Sequence, residues 1–214
     1  MKKITIITSL LLLGFSNSLN AQFTQVETFS GFDKTDFTLY SSYPINEKNT
    51  LSMATLAFFQ KFNEKENEEF DELGVQPTFF WNFNKHISLG PSLYYNSVAG
   101  LSQRLSAKLS LKASRLLVVV MPTLGHYQQT KRAYVETFAQ IQFNTPVNEK
   151  LSIWLNGQFL TVWNDFKRHS RSFQQLRGGL SYKGHQIGVG VDFDQYGPKP
   201  VEKFSFGVYY RTIL

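Results

Sequence analysis

Residues 101–112 alternate with a period of two. Leu101, Leu105, Ala107, Leu109 and Leu111 fall on one side, and Arg104, Ser106, Lys108, Ser110 and Lys112 on the other. That is the period of an extended strand, whose successive side chains point to opposite faces. The pattern returns at 151–163, where Leu151, Ile153, Leu155, Phe159 and Trp163 oppose Ser152, Asn156 and Gln158. It returns again at 186–194, where Ile187, Val189, Val191 and Phe193 oppose Gln186, Gly188, Gly190, Asp192 and Asp194. The last stretch, 203–214, places Phe204, Phe206, Val208 and Tyr210 against Ser205, Gly207, Tyr209 and Arg211. Strands that are apolar on one face and charged deep inside the other do not suit a soluble sandwich, which buries its apolar face in a core. They suit a closed sheet with lipid outside and polar groups inside.

About twelve such segments are expected, each near the roughly ten residues that a tilted strand needs to cross a bilayer. They are 23–30, 36–43, 50–61, 75–83, 86–96, 101–113, 116–127, 133–145, 151–163, 171–182, 186–196 and 203–214. The connections alternate in character. Short turns are expected at 44–49, 84–85, 114–115, 146–150 and 183–185. Longer loops are expected at 31–35, 62–74, 97–100, 128–132, 164–170 and 197–202. Two short turns share Asn-Glu-Lys before Leu-Ser (Asn46-Glu47-Lys48 and Asn148-Glu149-Lys150), and Asn84-Lys85-His86 is a shortened version. Asn and Lys-Gly suit tight turns through their tolerance of positive φ. Short turns on the periplasmic side and longer loops outside are the outer-membrane arrangement, and an even strand count puts both chain ends in the periplasm.

Composition agrees. Phe and Tyr are abundant, with aromatics at 15% of 214 residues, and cysteine is absent. No disulfide framework, thiolate metal site or lipid-modified cysteine is therefore available. The basic start Lys2-Lys3, the apolar run 4–15 and the small polar end at Ala21 read as a secretory signal peptide, leaving a barrel domain at 22–214. Past that run no apolar stretch approaches the length of a membrane helix. The formal net charge of +6, two of it from Lys2 and Lys3, is too mild to argue for nucleic acid.

Polar faces turned inward would line the lumen with Glu27, Arg104, Lys108, Lys112, Tyr134, Glu136, Arg177, Asp192, Asp194, Tyr209 and Arg211. Salt-bridged ladders are expected there, among them a plug of Arg104, Lys108 and Asp192. Rings of Arg and Lys favour anions, so the lining would suit a small polar or anionic solute. The loop at 62–74 gathers Glu64, Glu66, Glu68, Glu69, Asp71 and Glu72, without calcium-loop spacing. It reads as an extracellular acidic loop. Lys131, Arg132, Lys167, Arg168 and Arg171 form extracellular basic loops, suited to lipopolysaccharide phosphates. Leu116, Leu117, Val118, Val119 and Val120 are apolar on both faces, which suits either a hydrophobic lumen patch or contact with an envelope-complex partner.

No catalytic residue, metal or cofactor is assigned. A base and a nucleophile share one face of a strand at the spacing i, i+2. His86 and Ser88 have it but lie at a short turn. His169 is followed directly by Ser170 and, three on, by Ser172, which on a regular strand faces the other way.

At the level of architecture the chain resembles the small outer-membrane β-barrel proteins of Gram-negative bacteria. The resemblance covers 22–214 and includes the closing strand of alternating aromatics that the barrel-assembly machinery recognises, although Leu214 replaces the frequent terminal Phe. It implies an outer-membrane location. The first functional expectation is a narrow passive channel. The alternatives are a non-conducting accessory barrel of an envelope complex and, third, a barrel lipid hydrolase.

Overall fold

The computed structural model describes residues 23–214, so the expected signal peptide at 1–21 lies outside the described residues. Among the described residues twelve strands close into one antiparallel barrel, each paired with its neighbours in sequence and β1 paired with β12. The strands are β1 (Phe23–Gly31), β2 (Lys34–Pro44), β3 (Leu51–Phe62), β4 (Glu72–Asn82), β5 (Ile87–Asn96) and β6 (Gly100–Lys112). They continue as β7 (Leu116–Tyr127), β8 (Ala133–Pro146), β9 (Leu151–Asn164), β10 (Arg168–Tyr182), β11 (His185–Tyr196) and β12 (Val201–Ile213). Closure sets Glu27 beside Arg211 and Phe29 beside Tyr209. It also leaves no free sheet edge to recruit another chain.

The wall is inside-out relative to a soluble protein. Large apolar side chains such as Leu109, Ile187, Phe206 and Val208 are exposed, while the buried set is mainly polar and charged. Water contact would make that outer surface unstable, and lipid contact removes the penalty. Aromatic residues mark both edges of the outer band. Trp81, Phe83, Tyr182 and Tyr210 stand at the rim that carries the chain ends, and Phe32, Tyr95, Trp163 and Phe166 near the opposite rim. Such girdles sit where lipid headgroups meet hydrocarbon.

The expected contrast in loop length is mostly absent. The strands run further towards the opposite rim than the alternation suggested, which turns the connection between β1 and β2 into the pair 32–33. Lys34, expected in a loop, opens β2 and is 1% exposed inside the barrel. Only 63–71 is long, and it contains a short 3-10 helix, Lys65–Phe70.

Candidate functional site

The inward faces of the strands build three connected groups of side chains. In the first, Glu27 on β1 accepts from Arg211 Nε at 2.7 Å and from Arg177 Nε at 3.1 Å. Arg177 also donates to Asp192. Each guanidinium lies over a ring. Arg211 is 4.0 Å from the Trp154 centroid and Arg177 is 4.2 Å from Phe29. Glycine on β11 makes this packing fit, since a Cβ at Gly190 would come within 2.8 Å of Arg177 Cδ. Phe29, Trp154 and Tyr209 form the buried apolar cluster beneath the pairs. Trp154 Nε1, Tyr209 OH and Arg211 Nη1 are buried hydrogen-bond donors with no protein acceptor.

The second group lies nearer the rim opposite the chain ends. Lys34 Nζ is 2.7 Å from Asp194, 3.0 Å from Asp192 and 3.1 Å from Asp36. Arg171 on β10 pairs with Glu72 on β4. Five strands lie between these two on either side, half the circuit of the barrel, so the pair spans the lumen. Gln60 Nε2 donates to Tyr196 OH at 2.8 Å and to the Phe70 carbonyl at 3.0 Å. The second bond holds the 3-10 helix to its own preceding strand, β3. Phe70 packs on Tyr196 with centroids 4.7 Å apart, and Lys203 on β12 reaches Asn67 at 2.6 Å. The connection 63–71 is thus a lid that reaches from β3 to β11 and β12.

The third group centres on Arg104. It pairs with Glu136 and donates to Gln76, with the Tyr94 centroid 4.5 Å away. Tyr134 OH lies 3.0 Å from Ser102 Oγ. The Tyr134 ring occupies the place of a side chain at its cross-strand neighbour Gly125, where a Cβ would meet it at 2.1 Å.

These placements correct several expectations. Glu72 and Arg171 are not loop residues: β4 and β10 extend far enough to carry both inward. Asp71 is half-buried and bonded to the Phe62 amide at 2.7 Å, which leaves Glu64, Glu66, Glu68 and Glu69 as the exposed acidic surface of the lid. Arg104, Lys108 and Asp192 do not form one plug. Arg104 and Asp192 belong to different groups, and Lys108 stands 4.4 Å from the Phe80 centroid. Lys112 is exposed at the terminal end of β6. Lys131, Arg132, Lys167 and Arg168 are exposed on the rim opposite the chain ends. Thr123, which faces inward at 2% exposure, fixes the parity of β7. Leu117 and Val119 therefore line the lumen, and only Leu116, Val118 and Val120 face outward.

Below Glu136 and Glu72 the wall from β3 to β9 turns no carboxylate inward. It presents Ser106, Thr123, Gln140 and Gln158 together with Lys108 and Lys112. Neither lysine has a carboxylate within 4.0 Å among the described residues, whereas Glu27, Asp36, Glu72, Glu136, Asp192 and Asp194 all have a cationic partner. Among the described residues no group of three His, Asp or Glu side chains is placed to hold a metal ion.

The architecture is that of an outer-membrane β-barrel of the small porin-like kind. No protein family and no curated protein matches the sequence. Solved structures do match in fold. The NanC porin aligns over 91% of this chain and 100% of its own, with 11% identity and a TM-score of 0.54. LpxR from Salmonella typhimurium aligns over 90% and 99%, with 6% identity and a TM-score of 0.50. The COG4313 outer membrane channel from Pseudomonas putida F1 aligns over 94% and 98%, with 13% identity and a TM-score of 0.49.

Proposed function

We propose that the protein is a narrow outer-membrane channel that favours small anionic solutes and is held nearly closed by its lid and by the Arg171–Glu72 pair. The observation that carries this reading is the asymmetry of the lumen. Each of its carboxylates has a cationic partner, while Lys108 stands half-buried on the β6–β9 wall and Lys112 exposed at the end of it, both without one. Fixed positive charge in a low-dielectric passage raises the local concentration of anions. The buried donors Trp154 Nε1, Tyr209 OH and Arg211 Nη1 suit the same charge. The fold likeness to the NanC porin is compatible with a channel.

A non-conducting barrel is the competing reading, favoured by the full burial of Trp154, Tyr209 and Arg211 and by the lid that reaches from β3 to β11 and β12. Planar-bilayer recording separates the two. Small unitary steps are expected, and Glu72→Gln should enlarge them or raise the open fraction by releasing Arg171. Silence of both proteins at every voltage would refute the channel.

The exposed cations Lys131, Arg132, Lys167 and Arg168 suit the phosphates of lipopolysaccharide, with the opposite rim facing outward. Replacing all four should reduce lipopolysaccharide retained on purification, and unchanged retention would refute this role. Recognition of the closing strand by the assembly machinery, and docking of an envelope partner, now confined to Leu116, Val118 and Val120, belong to the same reading.

A further inference from the structure

A second constellation lies on the outside of the wall, near the rim opposite the chain ends. The register of β10 against β9 shifts between His169 and Arg171, because Ser170 is bulged out of the ladder. A bulge inserts one residue and changes which face the following side chains occupy. Here it gives His169 and Ser172, three apart in sequence, the common face that residues two apart share on a regular strand. Arg171 meanwhile points into the lumen. His169 Nε2 lies 2.9 Å from Ser172 Oγ, and His169 Nδ1 lies 2.6 Å from the Gly197 carbonyl oxygen. Thr161 Oγ1 is 2.9 Å from Ser172 Oγ and accepts from Trp163 Nε1 at 2.9 Å.

The hydrogen-bond chemistry fixes the protons. A carbonyl only accepts, so Nδ1 carries the hydrogen and Nε2 of the neutral ring is left with a lone pair. That lone pair lies 2.9 Å from Ser172 Oγ, whose hydroxyl donates to Thr161 Oγ1 in the structure and turns to Nε2 by rotation about its Cβ–Oγ bond. A serine within hydrogen-bond reach of an unprotonated imidazole nitrogen, with the other nitrogen held by an acceptor, is the arrangement from which a nucleophile is activated once its proton turns to the ring. Gly197 takes the orienting place that a carboxylate fills in a triad. The pair belongs to the outward face, beside the exposed Trp163 and Phe166. Lys167 in the adjoining turn and Arg168 at the start of β10 are exposed, as are Lys131 and Arg132 in the neighbouring connection, tied to that turn by the bond from the Asp165 amide to the Ala133 carbonyl at 2.8 Å.

We propose that His169 and Ser172 form a lipid-facing acyl-ester hydrolase site, with base and nucleophile in those roles, for an anionic amphiphile held by the rim cations. Ser172 Oγ attacks the ester carbonyl as its proton passes to His169 Nε2. The C–O bond to the alcohol breaks, the alcohol leaves with that proton, and water repeats the sequence to release the fatty acid. Ser172 is 6% exposed, and the 39% exposed Trp163 ring packs edge-on against His169 at 5.4 Å and is held by its bond to Thr161. Trp163 therefore acts as the cover of the site.

The test is covalent labelling of the refolded full-length barrel by a fluorophosphonate probe, with the heat-modifiable gel shift as the check on folding. Labelling is expected at Ser172. Ser172→Ala should abolish it, His169→Gln should slow it by roughly 100-fold, and Trp163→Ala should accelerate it, all without loss of the folded band. No labelling of folded wild-type protein, or labelling unchanged by Ser172→Ala, would overturn the assignment. If a variant fails to fold, labelling of wild-type protein with the modified residue mapped by mass spectrometry decides the question. Release of fatty acid from phosphatidylglycerol vesicles or from lipopolysaccharide then identifies which amphiphile is cleaved, and release from neither would overturn the hydrolase.

Discussion

Glu27 holds two guanidinium groups at once, Arg177 and Arg211, in a part of the barrel where neither cation reaches bulk water. Removing one partner of a buried pair leaves an uncompensated charge at a cost of about 3–5 kcal/mol. Glu27→Ala is therefore expected to lower barrel stability by that order, read as a shift in the urea midpoint of unfolding from lipid vesicles. Lys112→Ala, at an exposed strand end, should stay within about 0.5 kcal/mol of wild type. Residue by residue, the sequence assigned a face to charges within the strands it recognised, but not to Lys34, Asp36 or Glu72 near the rim, and not how any of them pair. Alternation assigns a face, whereas Arg171 to Glu72 is a contact across half the barrel that no local pattern encodes. Lys34 was missed because one polar residue at a strand start does not break the appearance of a turn. The recurring asparagines were legible as turns for a different physical reason. Asn46, Asn84 and Asn148 cap their turns with side-chain oxygens that accept backbone N–H groups, as Asn84 Oδ1 does from His86 at 2.8 Å and Ile87 at 3.0 Å. Positive φ falls instead on Asn49 and on Lys183-Gly184.

Two elements depart from regular geometry, and both bear on function. The bulge at Ser170 lets one strand serve the lumen through Arg171 and the outer surface through His169 and Ser172. It was invisible to a strict count of two, which put His169 and Ser172 on opposite faces. Deleting Ser170 should leave a regular ladder with His169 and Ser172 two apart on the same outer face, so the fluorophosphonate reaction should persist with the folded band, and its loss there would contradict the assignment. The lid is the other element. Gln60, Tyr196 and Lys203 hold it from three strands. Replacing 65–70 with a short Gly-Ser linker should at least double unitary conductance in planar bilayers. An unchanged conductance would show that the constriction lies deeper, among Arg211, Trp154 and Glu27. The acidic run was readable as a loop, but its inward fold depends on Phe70 finding Tyr196, a long-range contact.

At the scale of the whole molecule the chain is a lipid-facing apolar cylinder around a polar interior, and the sequence carried most of that outline through its period of two. A charge placed on the outer band should therefore be costly. Val189→Lys, at an outward position of β11, is expected to destabilise by about 2–4 kcal/mol near mid-membrane. Leu51→Lys, at an outward position at the rim end of β3, should cost about 0–1 kcal/mol. The central claim concerns the charge of the passage, and reversal potential in a tenfold KCl gradient measures it directly. Wild-type protein should show a reversal potential of the sign that marks anion preference, and Lys108→Glu with Lys112→Glu should move it towards cation preference. A wild-type channel that prefers cations, or one whose reversal potential ignores both lysines, would contradict the account.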